Sequence, residues 1–278
     1  MRRATRPPSV TTNGNAFETG TNTWRRLPRW PLACASGCAS PLKPFYLQPG
    51  GHAGFAAPTA EGFDEYVADP AKPVPYLPRP VRFADSDAWH WWLLTDQRMV
   101  ADRPDVLAYV SEPLTAPIKI AGAPQVNLFA STSGTDSDWV VKLIDVYPEE
   151  VPADPPLGGY QLGVAMDIFR GRYRESFEHP TAIPANTVQR YRFALPTVNH
   201  VFLPGHRIMV RVQSSWFPLY DRNPQTFVDN IFFAKPTDGS PKAAVKETAR
   251  RSPSRPVPGY DCRADGISPR CRCRCPRV

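Results

Sequence analysis

The sequence predicts an all-β protein whose main body is a jelly-roll β-sandwich. Three observations carry that expectation. About eight short apolar runs recur between residues 106 and 236 with turn residues between them, the spacing of two packed antiparallel sheets. Prolines number 34 in 278 residues, more than twice the usual ~5%, and proline at that density breaks long helices. Hydrophobic residues make up 42% of the chain, which at this length is enough to bury a real core.

"VLAYVSE" (106–112), "IKIAG" (118–122) and "PQVNLFAST" (124–132) are short and rich in β-branched or aromatic residues, as strands are. "STSGTDSDW" (131–139) then reads as a hairpin tip that leaves Ser131, Ser133 and Ser137 in solvent. In "DWVVKLIDVYP" (138–148) Val141, Leu143 and Asp145 share one face and Val140, Lys142, Ile144 and Val146 the other. Apolar residues on both faces predict a strand covered on both sides. "YQLGVAMDIFRGR" (160–172) and "RYRFAL" (190–195) follow, then "HVFLPGHRIMVRVQSS" (200–215), with "LPGH" as a tight connection. In its second half Ile208, Val210 and Val212 alternate with Met209, Arg211 and Gln213, which predicts one buried face and one more exposed. "WFPLYDRNPQTF" (216–227) would join this strand to a last one, "FVDNIFFA" (227–234), tied by Asp221 and Arg222 and anchored by Trp216, Phe217 and Tyr220.

The flanks look different. Residues 16–100 are punctuated by Pro and Gly ("PLKPFYLQPGG", "DPAKPVPYLPRPV") and read as an irregular connector. From 237 to 278 the periodicity is lost and the composition becomes Arg/Pro/Cys-rich, predicting a disordered tail. The net charge of +7 is confined to the ends: residues 1–15 carry about +3 and 237–278 about +6, leaving the middle at about −2. The body therefore has no basic face for nucleic acid. No apolar run approaches 18 residues, so no membrane span is expected, and the N-terminus lacks the apolar stretch of a secretory signal.

Side chains with chemical potential are scattered. No G-x-S-x-G elbow occurs, so no strained turn presents a serine nucleophile. The histidines, His52, His90, His179, His200 and His206, form neither H-x-x-x-H nor H-E-x-x-H. His200 and His206 flank "VFLPG", and a turn could bring them together, but no third metal ligand is evident. His179 reads as a surface turn. Cys262, Cys271, Cys273 and Cys275 lie in the basic tail without a second ligand pair, and Cys34 and Cys38 are spaced for a local disulfide or for free buried thiols. The cluster "WHWWLLTDQR" (89–98) suits docking against another surface better than ligand stacking. Catalytic, cofactor-binding and metal residues are thus all expected to be none. A free-standing module that binds carbohydrate or protein, with Trp89, Trp91 and Trp92 as a platform, is the alternative reading.

"FETGTNTWR" (17–25), "FDEYVADPAKPVPY" (63–76), "DQRMVADRPDVLAYVSEPL" (96–114), "NLFASTSGTDSDWVVKLIDVYP" (127–148), "FRGRYRESFEHP" (169–180) and "HRIMVRVQSSWFPLYDRNPQTF" (206–227) together resemble the C-terminal part of α-amino-acid ester hydrolases. These group with cocaine-esterase-like and glutaryl-acylase-like serine hydrolases and share a C-terminal domain with X-Pro dipeptidyl-peptidases. The resemblance spans about 16–236. It implies a galactose-binding-like jelly roll over 101–236, joined through 16–100 to an α/β-hydrolase domain that carries a Ser-Asp-His triad and would be this chain's partner. The sequence does not fix the compartment; a soluble bacterial protein is expected, and a homo-oligomer is compatible with it. The resemblance begins after the triad, so no catalytic residue carries over to a position here. Residues 1–15 and the tail after about 240 do not resemble the family, which predicts a truncated or frameshifted product, inactive alone.

Overall fold

A computed structural model gives the structure, which describes residues 14–27, 42–59, 61–78, 80 and 92–247. Fourteen strands are described: β1 (Gly14–Glu18), β2 (Thr23–Leu27), β3 (Tyr46–Gln48), β4 (His52–Gly54), β5 (Phe63–Ala68), β6 (Leu107–Val110), β7 (Ile118–Gly122), β8 (Gln125–Thr132), β9 (Asp138–Val146), β10 (Gln161–Arg170), β11 (Gln189–Ala194), β12 (Val198–Phe202), β13 (Arg207–Gln213) and β14 (Lys242–Glu247). A six-stranded sheet runs β10-β9-β13-β6-β4-β3 and a four-stranded sheet β11-β8-β14-β5, with two-stranded pairs β12-β7 and β1-β2. None closes into a barrel, and the arrangement is a β-sandwich. No described helix is long and apolar enough to cross a membrane.

The core lies between the two large sheets. Tyr66, Leu128, Ala130, Tyr191 and Ala244 from the smaller sheet meet Tyr109, Trp139, Val141, Leu143, Phe169, Ile208 and Val212 from the larger. Period-2 alternation sends these residues inward, as expected for stacked sheets. Trp139 and Tyr191 lie 5.2 Å apart between ring centroids, and Phe169 stacks on Phe193 at 5.0 Å.

Seven of the eight apolar runs form strands, and "HVFLPGHRIMVRVQSS" supplies two, β12 and β13, around the turn at Gly205 (φ 83°). "FVDNIFFA" does not. Residues 231–233 make a 3-10 turn in which the Asn230 side chain accepts from the Phe232 amide, and Phe232 and Phe233 are exposed. The run has apolar composition, but no sheet edge pairs with it.

Both flanks contribute strands to the sandwich. The segment read as a connector supplies β3, β4 and β5, and the segment read as a disordered tail supplies β14, which sits between β8 and β5. Ala244 on β14 pairs with Thr132 on one side and Tyr66 on the other, and it is fully buried. "KAAVKE" is mostly small and charged, with little of the β-branched signal that marks a strand. Its position is set by the two neighbours that it bridges.

The outer face of the six-stranded sheet is also covered, so β13 has two buried faces rather than one: Met209, Arg211 and Gln213 are as buried as Ile208 and Val212. All nine residues of β9 are buried, as its apolar pattern predicts. The cover comes from Tyr76, Leu77 and Trp92, with Trp216 and Tyr220 beside them, packed over Val140, Met166 and Ile168. Beneath it, the Lys142 ammonium donates to Gln97 Oε1 (2.9 Å) and lies 4.6 Å from the Trp216 ring centroid. Arg211 donates to the Gln97 carbonyl and to Gln161 Oε1.

Burial, with the nearby Arg211 charge, pulls the Lys142 pKa down from 10.5 to about 7. A depressed folded-state pKa means that Lys142 contributes stability above pH 10.5, which is lost as pH falls through about 7. The expected outcome is a denaturation midpoint that climbs between pH 7 and 10.5, with that climb flattened in Lys142→Met. An equal slope in the variant would show that another group sets it.

Candidate functional site at the N-terminal hairpin

The motif "FETGTNTW" forms the β1–β2 hairpin, and nearly every residue has a physical task. In register, Phe17 faces Trp24, Ala16 faces Arg25 and Glu18 faces Thr23. Two positive backbone angles, Gly20 (φ 88°) and Asn22 (φ 51°), turn the chain, and Gly and Asn are the residues that reach this region at least cost. A Cβ on Gly20 would stand 2.0 Å from the Val201 carbonyl oxygen, so the hairpin approaches β12 as only glycine allows. Thr19 completes the contact: its amide donates to the Asn199 carbonyl (3.0 Å) and its carbonyl accepts from the Val201 amide (3.0 Å).

Two buried carboxylates hold this segment. Glu18 accepts from Lys119, from Thr21 Oγ1 (2.7 Å) and from Arg25 Nε (3.3 Å). The Lys119 bond, followed by that from Thr21, lowers its pKa to about 2. On the sandwich side Asp145 takes both histidines: His200 Nε2 at 3.1 Å and His206 Nδ1 at 2.8 Å. Burial works against ionisation of Asp145, yet the two imidazole bonds hold its carboxyl below the ordinary range. The other ring nitrogen of His200 lies 2.8 Å from Thr19 Oγ1, and the His206 ring packs 4.5 Å from Tyr147. The turn at 203–206 does bring His200 and His206 together, and the group that joins them is a carboxylate.

Thr19, His200 and Asp145 follow the hydrogen-bond order of a nucleophilic triad, but the arrangement is structural. His200 and Asp145 have no access to solvent, so no substrate reaches the base. The Thr19 hydroxyl can also donate to the Asn199 carbonyl (3.2 Å). Among the described residues no group of three or more His, Cys, Asp or Glu could hold a metal ion.

The loop 216–227 is anchored as expected by Trp216, which is buried and stacks on Tyr220 at 5.9 Å. Phe217 pairs its backbone with Val74 and Tyr76. Arg222 donates to the Pro70 carbonyl (3.1 Å), whereas Asp221 makes only a 3.9 Å surface ion pair with Arg170. The principal ties are Asn223 and Gln225. Asn223 donates to Asp138 Oδ1 (2.9 Å) and accepts from the Gln225 amide (2.8 Å).

The tip before β9 is correspondingly buried. Ser133 is exposed, but Ser131 and Ser137 are buried: Ser131 lies in β8 beside β14, and the 171–183 excursion and the 223–225 turn bond to residues 135–137. Asp136 pairs with Arg172 (2.7 Å) and Asp138 faces Arg170 (3.4 Å). Burial raises the pKa of both, Asp138 to about 7.

Of the remaining sequence candidates, His52 and His179 are exposed, and Trp92 packs edge-on to Tyr76 (6.1 Å) and Trp216 (5.9 Å). Trp89, His90, Trp91 and all six cysteines lie outside the described residues.

Gly20→Ala is expected to cost at least about 2 kcal/mol, since a side chain there is strained in both backbone angle and space. The loss should appear as a lower urea midpoint and faster hydrogen exchange at the Thr19 and Val201 amides. Unchanged protection of those amides would show that the hairpin is not pinned there.

Residues 3–254 match the family of X-Pro dipeptidyl-peptidase C-terminal non-catalytic domains, reaching beyond 16–236 at both ends and including β14. Cocaine esterase from Rhodococcus sp. (strain MB1 Bresler) is 37% identical over 219 residues, 76% of this chain and 35% of the esterase. A selenomethionine-labelled α-amino acid ester hydrolase superposes with a TM-score of 0.80 at 61% identity, over 84% of this chain and 38% of that one. An aminopeptidase from the marine sediment archaeon Thaumarchaeota archaeon gives 0.77 at 51% identity, with the same coverage. The chain thus spans little more than a third of the relatives it matches. With the β-sandwich, its pinned N-terminal hairpin and this match, the chain belongs to the X-Pro dipeptidyl-peptidase C-terminal non-catalytic domain family.

Proposed function

We propose that this chain is the β-sandwich module of a serine hydrolase acting on α-amino acid esters or related acyl and peptide bonds. The chemistry resides in an α/β-hydrolase domain that the sandwich partners. One observation carries the reading: the 61% identity to an α-amino acid ester hydrolase, over a match confined to 38% of that protein, in a family described as non-catalytic. The complete enzyme would use a serine nucleophile to form an acyl-enzyme that water or an amine then releases. The sandwich wall supports that domain and limits access to its cleft.

The carbohydrate-platform alternative loses one of its three tryptophans, because Trp92 is packed between Tyr76 and Trp216.

The purified chain is expected to show no turnover of amino-acid p-nitrophenyl esters above buffer. Grafted in place of the matching segment of the α-amino acid ester hydrolase, it should restore hydrolysis. Steady turnover by the chain alone, with a serine-reactive reagent labelling one residue, would overturn the proposal.

A further inference from the structure

The β1–β2 hairpin has two unlike faces. One carries Ala16, Glu18, Thr23 and Arg25, and from it Glu18 is buried against Lys119. The other carries the cross-strand pair Phe17 and Trp24, with ring centroids 5.4 Å apart, and beside it Arg26. Phe17 is 40% exposed and Trp24 68%. A two-residue aromatic face on an isolated two-stranded ribbon would be a poor use of apolar surface in a free module. Such ribbons are also marginal alone. Here the ribbon is held rigid from behind by Glu18, Thr19, Gly20 and the Asp145 network, so its aromatic face is presented in a fixed position.

We infer that this face is the docking knob for the catalytic domain of the same hydrolase, inserting Phe17 and Trp24 into an apolar groove with a carboxylate at its rim to meet Arg26. The inference rests on the functional reading above. Three observations favour this occupant. The relatives carry about 62% of their length outside the matched segment, and the matched family is the C-terminal one, which puts the catalytic part next to the N-terminal hairpin along the chain. Covalent linkage then gives the hairpin a high effective concentration of that surface. The hairpin pairs with neither large sheet, so its buried polar anchors position it without adding to the sandwich core. The exposed face also has the makeup of an interface centre, an aromatic pair flanked by arginine.

Other exposed aromatics, Phe177 and Phe233 at 81% and 80%, lie on the long connections that follow β10 and β13 and provide an internal comparison.

Hydroxyl-radical footprinting by mass spectrometry tests the inference on two proteins: the purified chain, and the full-length α-amino acid ester hydrolase with this chain grafted into its matching segment. Trp24 should oxidise about fivefold or more slowly in the graft, as an anchor in a desolvated pocket would, while Phe177 and Phe233 keep their rates. Equal Trp24 oxidation in both proteins overturns the inference, and so does protection that falls on Phe177 and Phe233 instead. Trp24→Ser leaves the buried anchors untouched and should split the single thermal transition of the graft into two. A single transition at the original midpoint counts against docking through this face. These readouts do not depend on turnover. A graft that protects Trp24 but does not hydrolyse esters removes the functional reading and keeps the docking. An active graft with unprotected Trp24 does the reverse.

Discussion

The complete burial of β9 is the constraint on which the rest depends. A nine-residue strand with no exposed side chain must be covered on both faces, and this one carries three ionisable groups into that environment. A buried charge without partners costs several kcal/mol, so each needs surrounding structure. Asp138 requires Arg170 and Asn223, which fixes the loop after β13. Lys142 requires Gln97 and the Trp216 ring, which fixes the segment across the outer face. Asp145 requires His200 and His206, and through His200 it reaches Thr19 and the N-terminal hairpin. Three peripheral segments, distant in sequence, are tied to one strand by three charges.

This organisation suits a module that supports chemistry carried elsewhere. The polar groups that resemble catalytic machinery are sealed and spent on structure: the Thr19, His200 and Asp145 chain, the buried serines near Asp136, and the lysine with a depressed pKa. Outside them, the N-terminal hairpin is held in place through Glu18, Thr19 and Gly20. A non-catalytic domain that buttresses a hydrolase needs fixed contact elements more than mobile reactive ones, and buried polar networks supply that fixity because their directional bonds tolerate little displacement.

Much of the sandwich was legible in the sequence. Strands β6 to β13 follow from alternation and turn residues, and the two-sided cover of β9 follows from Val140, Ile144 and Val146 opposite Val141 and Leu143. The misreadings share one cause. Arg211 and Gln213 look like a solvent face, and both are buried, Arg211 beneath the segment that carries Gln97, to whose carbonyl it donates. "KAAVKE" looks irregular, and it is a strand because β8 and β5 leave a gap between them. "FVDNIFFA" looks like a strand, and it has no edge to join. Asp221 looked like the loop's tie because it sits beside Arg222, whereas Asn223 ties it across 85 residues to Asp138.

The sequence by itself determined the class of fold, the local periods and the family to which the motifs point. Those depend on short-range sterics and on which face of a strand is apolar. The tertiary structure alone decided which polar residues are buried and what pairs with them. The free energy of a charge depends on the groups that cover it, and in this chain those groups come from segments tens of residues away.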